Sequence, residues 1–142
     1  MNLYIDCEWN GYQGDLISMA LIPQFGDYFY GVLACLDPLP WVADNVMPVL
    51  KYGVQDLFDD EIALSRGLAK YLSQFDSIHI IADWPEDIER FCRALIVGPG
   101  LRIDTPPLSF EVLRIDAQSE IPHNALFDAH ALRIACLERA DK

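Results

Sequence analysis

The chain has 142 residues, of which 52% are apolar, and its formal net charge of −12 comes from 22 acidic and 10 basic side chains. This size and apolar content predict a single domain over residues 1–142, because a core of this size buries most of the surface that the unfolded chain exposes. No basic, apolar leader and no run long enough to span a bilayer is present, so we expect a cytoplasmic protein without a membrane partner.

Four cysteines are scattered along the chain without any Cys-x-x-Cys pair. Their spacing therefore indicates neither a zinc site nor a disulfide framework. We expect buried thiols in a reducing compartment. The cysteines are Cys7, Cys35, Cys92 and Cys136.

The first part of the chain predicts three successive antiparallel strands at residues 2–8, 16–22 and 28–34, where apolar, aromatic and β-branched residues alternate or run together between Pro and Gly punctuation. The third strand is aromatic at Tyr28, Phe29 and Tyr30, and it is either an edge or a core element. An edge position is compatible with a homodimer. A Pro-rich connection follows, and residues 42–50 are ambiguous, with a short helix as one interpretation.

Helices and strands alternate in the second part of the chain. The pattern predicts helices at residues 59–72, 85–97 and 124–139, and strands at 78–82 and 110–115. An initial meander followed by this alternation predicts an α/β fold, in which a mixed sheet has an antiparallel three-strand meander plus parallel strands and is flanked by helices.

Asp6 and Glu8 are two residues apart on the first predicted strand, so their carboxylates point to the same face. Adjacent carboxylates repel unless a hard cation lies between them, and Mg²⁺ prefers such oxygen ligands. The alternative is an acidic strand end facing water. The same spacing recurs at Asp59 and Glu61, but there the acids lie at a predicted helix start and complement its dipole.

The segment Tyr4-Ile5-Asp6-Cys7-Glu8, followed by a turn with Gly11 and by the apolar second strand, resembles the first motif of the DEDDh family of 3′-to-5′ exonucleases. The family's third motif is His-x4-Asp leading into a helix, and His123 and Asp128 match it. A lone histidine is more often a surface residue, and Asn124 has the alternative role of capping the last helix.

The middle motif requires an aspartate near a helix start after the fourth long strand, and the stretch IIADWPEDIERF contains Asp83 and Asp87. Asp83 fits an N-cap, with Glu86 three residues later completing a capping-box pattern and Pro85 tolerated in the first turn. Asp87 is therefore the preferred ligand, with Asp83 as the alternative.

The resemblance implies a ribonuclease H-like fold and a two-metal phosphodiesterase with a histidine general base. The expected reaction releases nucleoside 5′-monophosphates from the 3′ end of a single-stranded nucleic acid, with RNA preferred to DNA although the sequence does not separate the two. The implied ligands of two divalent ions, Mg²⁺ or Mn²⁺, are Asp6, Glu8, Asp87 and Asp128, and His123 is the implied base. The net charge of −12 predicts weak, distributive action on short strands.

Two aromatic residues directly follow the ligand strand. Trp9 and Tyr12 are candidates for stacking on the terminal base, with core packing as the equal alternative. Two further interpretations of the whole chain stay open. One is a catalytically silent member of the same fold that binds nucleic acid or protein, and the other is an acidic interaction module with accidental motif matches.

Overall fold

The computed structural model describes residues 1–142 and shows a six-stranded mixed sheet, a separate two-stranded hairpin and four α-helices. The strands of the sheet are β1 (Asn2–Trp9), β2 (Leu16–Pro23), β3 (Phe29–Leu33), β4 (Leu57–Phe58), β5 (Ile78–Ala82) and β8 (Leu108–Val112). The hairpin consists of β6 (Ile96–Gly98) and β7 (Leu101–Arg102). The helices are α1 (Pro40–Asn45), α2 (Glu61–Leu72), α3 (Pro85–Ala94) and α4 (Ala125–Ala140).

The sheet has the strand order β4-β3-β2-β1-β5-β8. Strands β1, β2 and β3 form an antiparallel meander, whereas β5 lies parallel to β1 and β8 lies parallel to β5. The predicted α/β architecture, a meander joined to parallel strands, is thereby confirmed. Because β1, β5 and β8 run in the same direction, their carboxyl ends meet at one edge of the sheet.

Strand β1 is central and contributes to the core on both faces of the sheet. Leu3, Ile5 and Cys7 pack with α2 and α3 on one face. Tyr4 packs with α4 on the other face. Successive strand residues alternate between faces, so Asp6 falls on the α4 side, directly beyond the end of the apolar pattern.

Two predicted elements have the wrong bounds, because these bounds depend on pairing partners that a local pattern does not contain. Helix α3 ends at Ala94 instead of residue 97, and the following residues form the hairpin strand Ile96–Gly98. Strand β8 spans Leu108–Val112 instead of residues 110–115, because it pairs in parallel with the five residues of β5, from Ile78 opposite Leu108 to Ala82 opposite Val112.

The aromatic third strand is a core element. Phe29 and Tyr30 are both buried, and only Tyr28, which precedes β3, is exposed. All four cysteines are free, with Cys7 buried and the other three partly buried. No helix is long and apolar enough to cross a membrane.

Asn124 fixes the start of α4. Its side-chain oxygen accepts hydrogen bonds from the amides of Leu126 and Phe127, at 3.1 and 3.2 Å, and its amide nitrogen donates to the carbonyl oxygen of Val49 at 2.8 Å. The interpretation of Asn124 as the helix cap is therefore confirmed. Since Asn124 also bonds to a distant segment, it sets the direction in which the start of α4 enters the fold.

Replacing Asn124 by alanine tests this anchor. We expect Asn124→Ala to lower the free energy of unfolding by about 2 kcal/mol, because both the cap and the buried bond to Val49 are lost. Asp60→Ala is the matched control, since Asp60 caps α2 through one exposed bond to Ala63; its expected cost is about 1 kcal/mol. Urea denaturation measures the free energy of unfolding of both variants. An equal loss of stability in the two would contradict an anchoring role of the hydrogen bond to Val49.

Candidate metal centre

Five carboxylates converge at the edge of the sheet where β1 and β5 end. Asp6 and Glu8 lie on the carboxyl-terminal half of β1, and Asp83 directly follows β5. Asp87 and Asp128 lie in the first turns of α3 and α4. The carboxyl edge of parallel strands is where α/β proteins place their ligand sites, because loops and helix starts surround it.

A divergence of β1 from β5 makes room for Asp87. The two strands pair only from Asn2 to Tyr4, so further along β1 the amide of Cys7 has no partner in β5. This amide donates a hydrogen bond of 2.9 Å to Oδ1 of Asp87, whose side chain is only 1% exposed. This hydrogen bond replaces the one to water that the amide of Cys7 loses on burial, and it fixes the carboxylate of Asp87 beside β1.

The carboxylates form two groups that share Asp6. Asp6, Asp83 and Asp87 each offer an oxygen within 4.8 Å of the others, and so do Asp6, Glu8 and Asp128. A carboxylate common to two neighbouring groups suits a pair of cations held close together.

Two oxygen atoms of this cluster lack any hydrogen-bond donor. Oδ2 of Asp6 and Oδ1 of Asp128 are both shielded from solvent and have no partner. Burying charged oxygens without a partner is costly. A hard divalent cation bound by oxygen ligands removes this cost, so the residues present fit such an ion.

Burial and mutual repulsion shift the titration of the cluster. Burial raises the pKa of Glu8 to about 8, and the charges of Asp128 and Asp87 add to the shift. Burial also raises the pKa of Asp87 to about 8, although the hydrogen bond from Cys7 opposes this. The pKa of Asp6 is raised well above its ordinary value by burial and by the neighbouring acids. Without a cation, Glu8 and Asp87 therefore favour their protonated forms at neutral pH.

Asp83 does not have its predicted role. The N-cap of α3 is Trp84, which has extended backbone angles and no capping side-chain bond. Residues before proline favour this extended conformation, and Pro85 is the first helical residue. The N-cap prediction for Asp83 is therefore wrong. Its carboxylate lies in the group of Asp6 and Asp87 instead, and burial raises its pKa.

His123 and Asp128 are joined through the backbone. The amide of His123 donates a hydrogen bond of 3.0 Å to Oδ2 of Asp128, while Oδ1 is buried without a partner. His123 has a φ of 69°, an uncommon conformation for a residue with a side chain. Its exposed ring meets the ring of Trp41 edge to face, with the centroids 5.1 Å apart.

The two aromatic candidates for substrate contact differ in their surroundings. Trp9 is partly buried against the core, and the guanidinium carbon of Arg90 lies 5.1 Å from its ring centroid. These contacts favour the packing interpretation of Trp9. Tyr12 is 85% exposed and is free to meet a ligand.

The sequence patterns do not predict the observed contacts of three residues. They offer Asp83 only as an alternative to Asp87, whereas both lie in one ligand group with Asp6, and their spacing of four residues across a helix start is the available signal. Arg90 is a basic residue on the buried face of α3, three residues after Asp87, and this position was the available signal. No local pattern indicates that Trp41 contacts His123.

No protein-family model matches the chain, and no curated protein matches it either. The assignment of a function to this site therefore rests on the residues and their geometry.

The raised pKa values of Glu8 and Asp87 predict how the stability of the metal-free protein depends on pH. In the folded state Glu8 and Asp87 keep their protons up to about pH 8, whereas unfolded carboxyls lose them near pH 4. The folded state thus binds more protons within this window, and its stability falls as the pH rises. For metal-free protein in chelator we expect a Tm at least about 5 °C lower at pH 8 than at pH 5 by calorimetry.

Glu8→Gln tests whether the pH dependence of the Tm comes from the acidic cluster or from the net charge of the whole chain. Because the neutral amide removes one repelling charge, we expect this variant to raise the Tm at pH 8 and leave it nearly unchanged at pH 5. Glu138→Gln, which removes a charge at an exposed position of α4, is the matched control. An equal response of the two variants would contradict repulsion within the cluster.

Proposed function

We propose that this protein is a metal-dependent 3′-to-5′ exonuclease with a ribonuclease H-like fold. The observation that carries the proposal is the convergence of Asp6, Glu8, Asp87 and Asp128 on one site, with Asp6 shared by two ligand groups. His123 is attached to this site through its bond to Asp128. These are the residues that the DEDDh-like motifs select.

The sheet is compatible with this fold assignment. An antiparallel meander leads into parallel strands, with α2 and α3 on one face and α4 on the other. The first motif lies on the central strand β1, and the middle and third motifs lie at the starts of α3 and α4. Three motifs that are distant in the sequence therefore meet at the same sheet edge, and this supports the proposal.

The acidic cluster would hold two divalent ions, Mg²⁺ or Mn²⁺. Asp6 would bind both ions, Glu8 and Asp128 would complete one group, and Asp87 with Asp83 would complete the other. When bound, the ions would activate the attacking water and stabilise the leaving oxygen. Two such ions offset four negative charges and make the site attractive to a phosphate, which an uncompensated acidic cluster repels.

His123 serves as the general base in this proposal. Its imidazole is exposed, on the residue whose amide bonds to Asp128, and in this proposal it accepts a proton from the attacking water at a ring nitrogen. The water oxygen forms the new bond to phosphorus, the bond from phosphorus to the 3′ oxygen breaks, and this oxygen takes a proton from solvent. His123 then returns its own proton to solvent. The products are a nucleoside 5′-monophosphate and a strand shortened by one nucleotide.

The net charge restricts the substrate. At −12, the chain lacks the basic surface that grips long nucleic acids through many phosphates. Exposed Tyr12, next to the ligand strand, offers one aromatic surface for a terminal base. We therefore propose short single strands, cleaved distributively, as the substrate. The preference for RNA over DNA is carried over from the sequence-based expectation.

Digestion of 3′-labelled and 5′-labelled RNA and DNA oligomers tests the activity. With Mg²⁺ or Mn²⁺ we expect mononucleotides from the 3′ end, a ladder of intermediates that reflects distributive cleavage, faster cleavage of RNA, and no product in chelator. Processive degradation of long duplexes at ordinary salt would contradict the assignment.

Variants test the roles of the residues. We expect His123→Ala to lower kcat by about 10²-fold to 10⁴-fold, and Asp6→Asn and Asp87→Asn to abolish detectable cleavage while the fold persists by circular dichroism. Asp83→Asn should retain more activity than Asp87→Asn. Asp59→Asn is the control, because it alters the second Asp-x-Glu sequence, which lies at the start of α2. Metal-dependent binding of RNA without cleavage by the wild type would favour the catalytically silent alternative.

A further inference from the structure

Arg90 is the only buried basic side chain of the chain, with 4% of its surface exposed. It lies on α3, three residues after Asp87 and therefore on the same side of the helix. No carboxylate forms a salt bridge with it. Burying a charge without a counter-ion is costly, and Nε of Arg90 is buried without a partner, so the stabilisation must come from the other contacts of the guanidinium.

Both contacts of the guanidinium connect α3 to the segment that follows the ligand strand. Nη1 of Arg90 donates a hydrogen bond to the carbonyl oxygen of Gly14. The guanidinium also lies over the ring of Trp9, the last residue of β1. We name residues 10–15, which link β1 to β2, the β1–β2 loop.

The β1–β2 loop is tightly turned. Gly11 and Gln13 both have positive φ angles, and the amide of Asn10 donates to the carbonyl oxygen of Asp15 at 2.9 Å. A Cβ atom at position 14 would overlap the carbonyl oxygen of Asn10, so this position requires glycine. The carbonyl group of Gly14 is therefore presented to Arg90 by a closely packed turn.

The loop is held from two sides. The side chain of Asn10 donates to the carbonyl oxygen of Asp37 at 3.0 Å and accepts from the amide of Leu39 at 2.8 Å. Arg90 holds the other side through Gly14. Helix α3 therefore contacts the chain on both sides of Glu8, because Asp87 accepts a hydrogen bond from Cys7 and Arg90 donates one to Gly14. The pairing of β1 with β2 shifts register between Glu8 and Trp9.

We propose that Arg90 is a positioning residue that holds the β1–β2 loop, and with it Tyr12, at a fixed place beside the metal cluster. This inference rests on the proposed nuclease function. Arg90 contacts neither the metal-binding carboxylates nor His123, so it influences the site only through its contacts with Trp9 and Gly14. Its effect falls on the affinity for the terminal nucleotide instead of on the chemical step.

Arg90→Met tests the proposal, because methionine keeps the apolar stem and removes the guanidinium. Arg93→Met is the matched control: Arg93 is one turn later on α3 and bonds only to Glu89, at 2.8 Å, on the surface. Arg90→Lys keeps the charge but lacks the planar group that both donates and stacks, so we expect partial rescue.

Hydrogen exchange of metal-free protein measures the loop directly and does not depend on catalysis. We expect amides of the β1–β2 loop to exchange about tenfold faster in Arg90→Met, the effect of losing one charged hydrogen bond, with β5 unchanged. Arg93→Met should match the wild type. Equal protection of the loop in all three proteins would overturn the positioning role.

Steady-state kinetics on a short RNA measures the functional consequence. We expect Arg90→Met to raise KM about tenfold and to change kcat less than about threefold, since the lost interaction acts on ground-state and transition-state binding alike. An unchanged KM, or a loss confined to kcat, would overturn the inference. Absence of cleavage by the wild type would instead refute the proposed function, whereas the exchange result would still decide whether Arg90 holds the loop.

Discussion

Repulsion among five carboxylates, Asp6 and the four that meet around it, is the constraint to which the rest of the structure must adapt. Burial strengthens this repulsion, because it removes the water that would screen the charges. The fold keeps the acids together through bonds made by other groups: the amide of Cys7 holds Asp87, and the amide of His123 holds Asp128. Each of these carboxylates uses one oxygen for the fold. The oxygens left without donors on Asp6 and Asp128 are the atoms that a cation would satisfy.

Packing and hydrogen bonds outside the cluster offset the free-energy cost of bringing these acids together. Strand β1 is central in the sheet and is packed on both faces, which gives the two acids at its end a rigid support. Asn124 anchors the start of α4 to a distant segment, and Arg90 ties α3 to the β1–β2 loop. If the cluster binds a cation, as proposed, the ion would stabilise a site that mutual repulsion otherwise destabilises.

Local sequence patterns predicted the parts of the site that depend on local geometry. The spacing of Asp6 and Glu8 placed both on one face of a strand, and the last helix begins where Asn124 caps it. The patterns failed where a tertiary partner decides the outcome. The start of β8 follows its register with β5, and Asp83 joins the acidic cluster because the chain turns there before Pro85. The contacts of Arg90 and Trp41 also join segments far apart in the chain.

Calorimetric titration of metal-free protein with Mn²⁺ tests the central claim most directly, because it measures ion binding without requiring a substrate. The expected result for the wild type is the uptake of two ions per chain, with protons released from the carboxyl groups of the cluster as the ions bind. Asp6→Asn, which removes the carboxylate shared by both groups, should lose this binding. No binding by the wild type, or equal binding by wild type and Asp6→Asn, would contradict a metal centre built around Asp6.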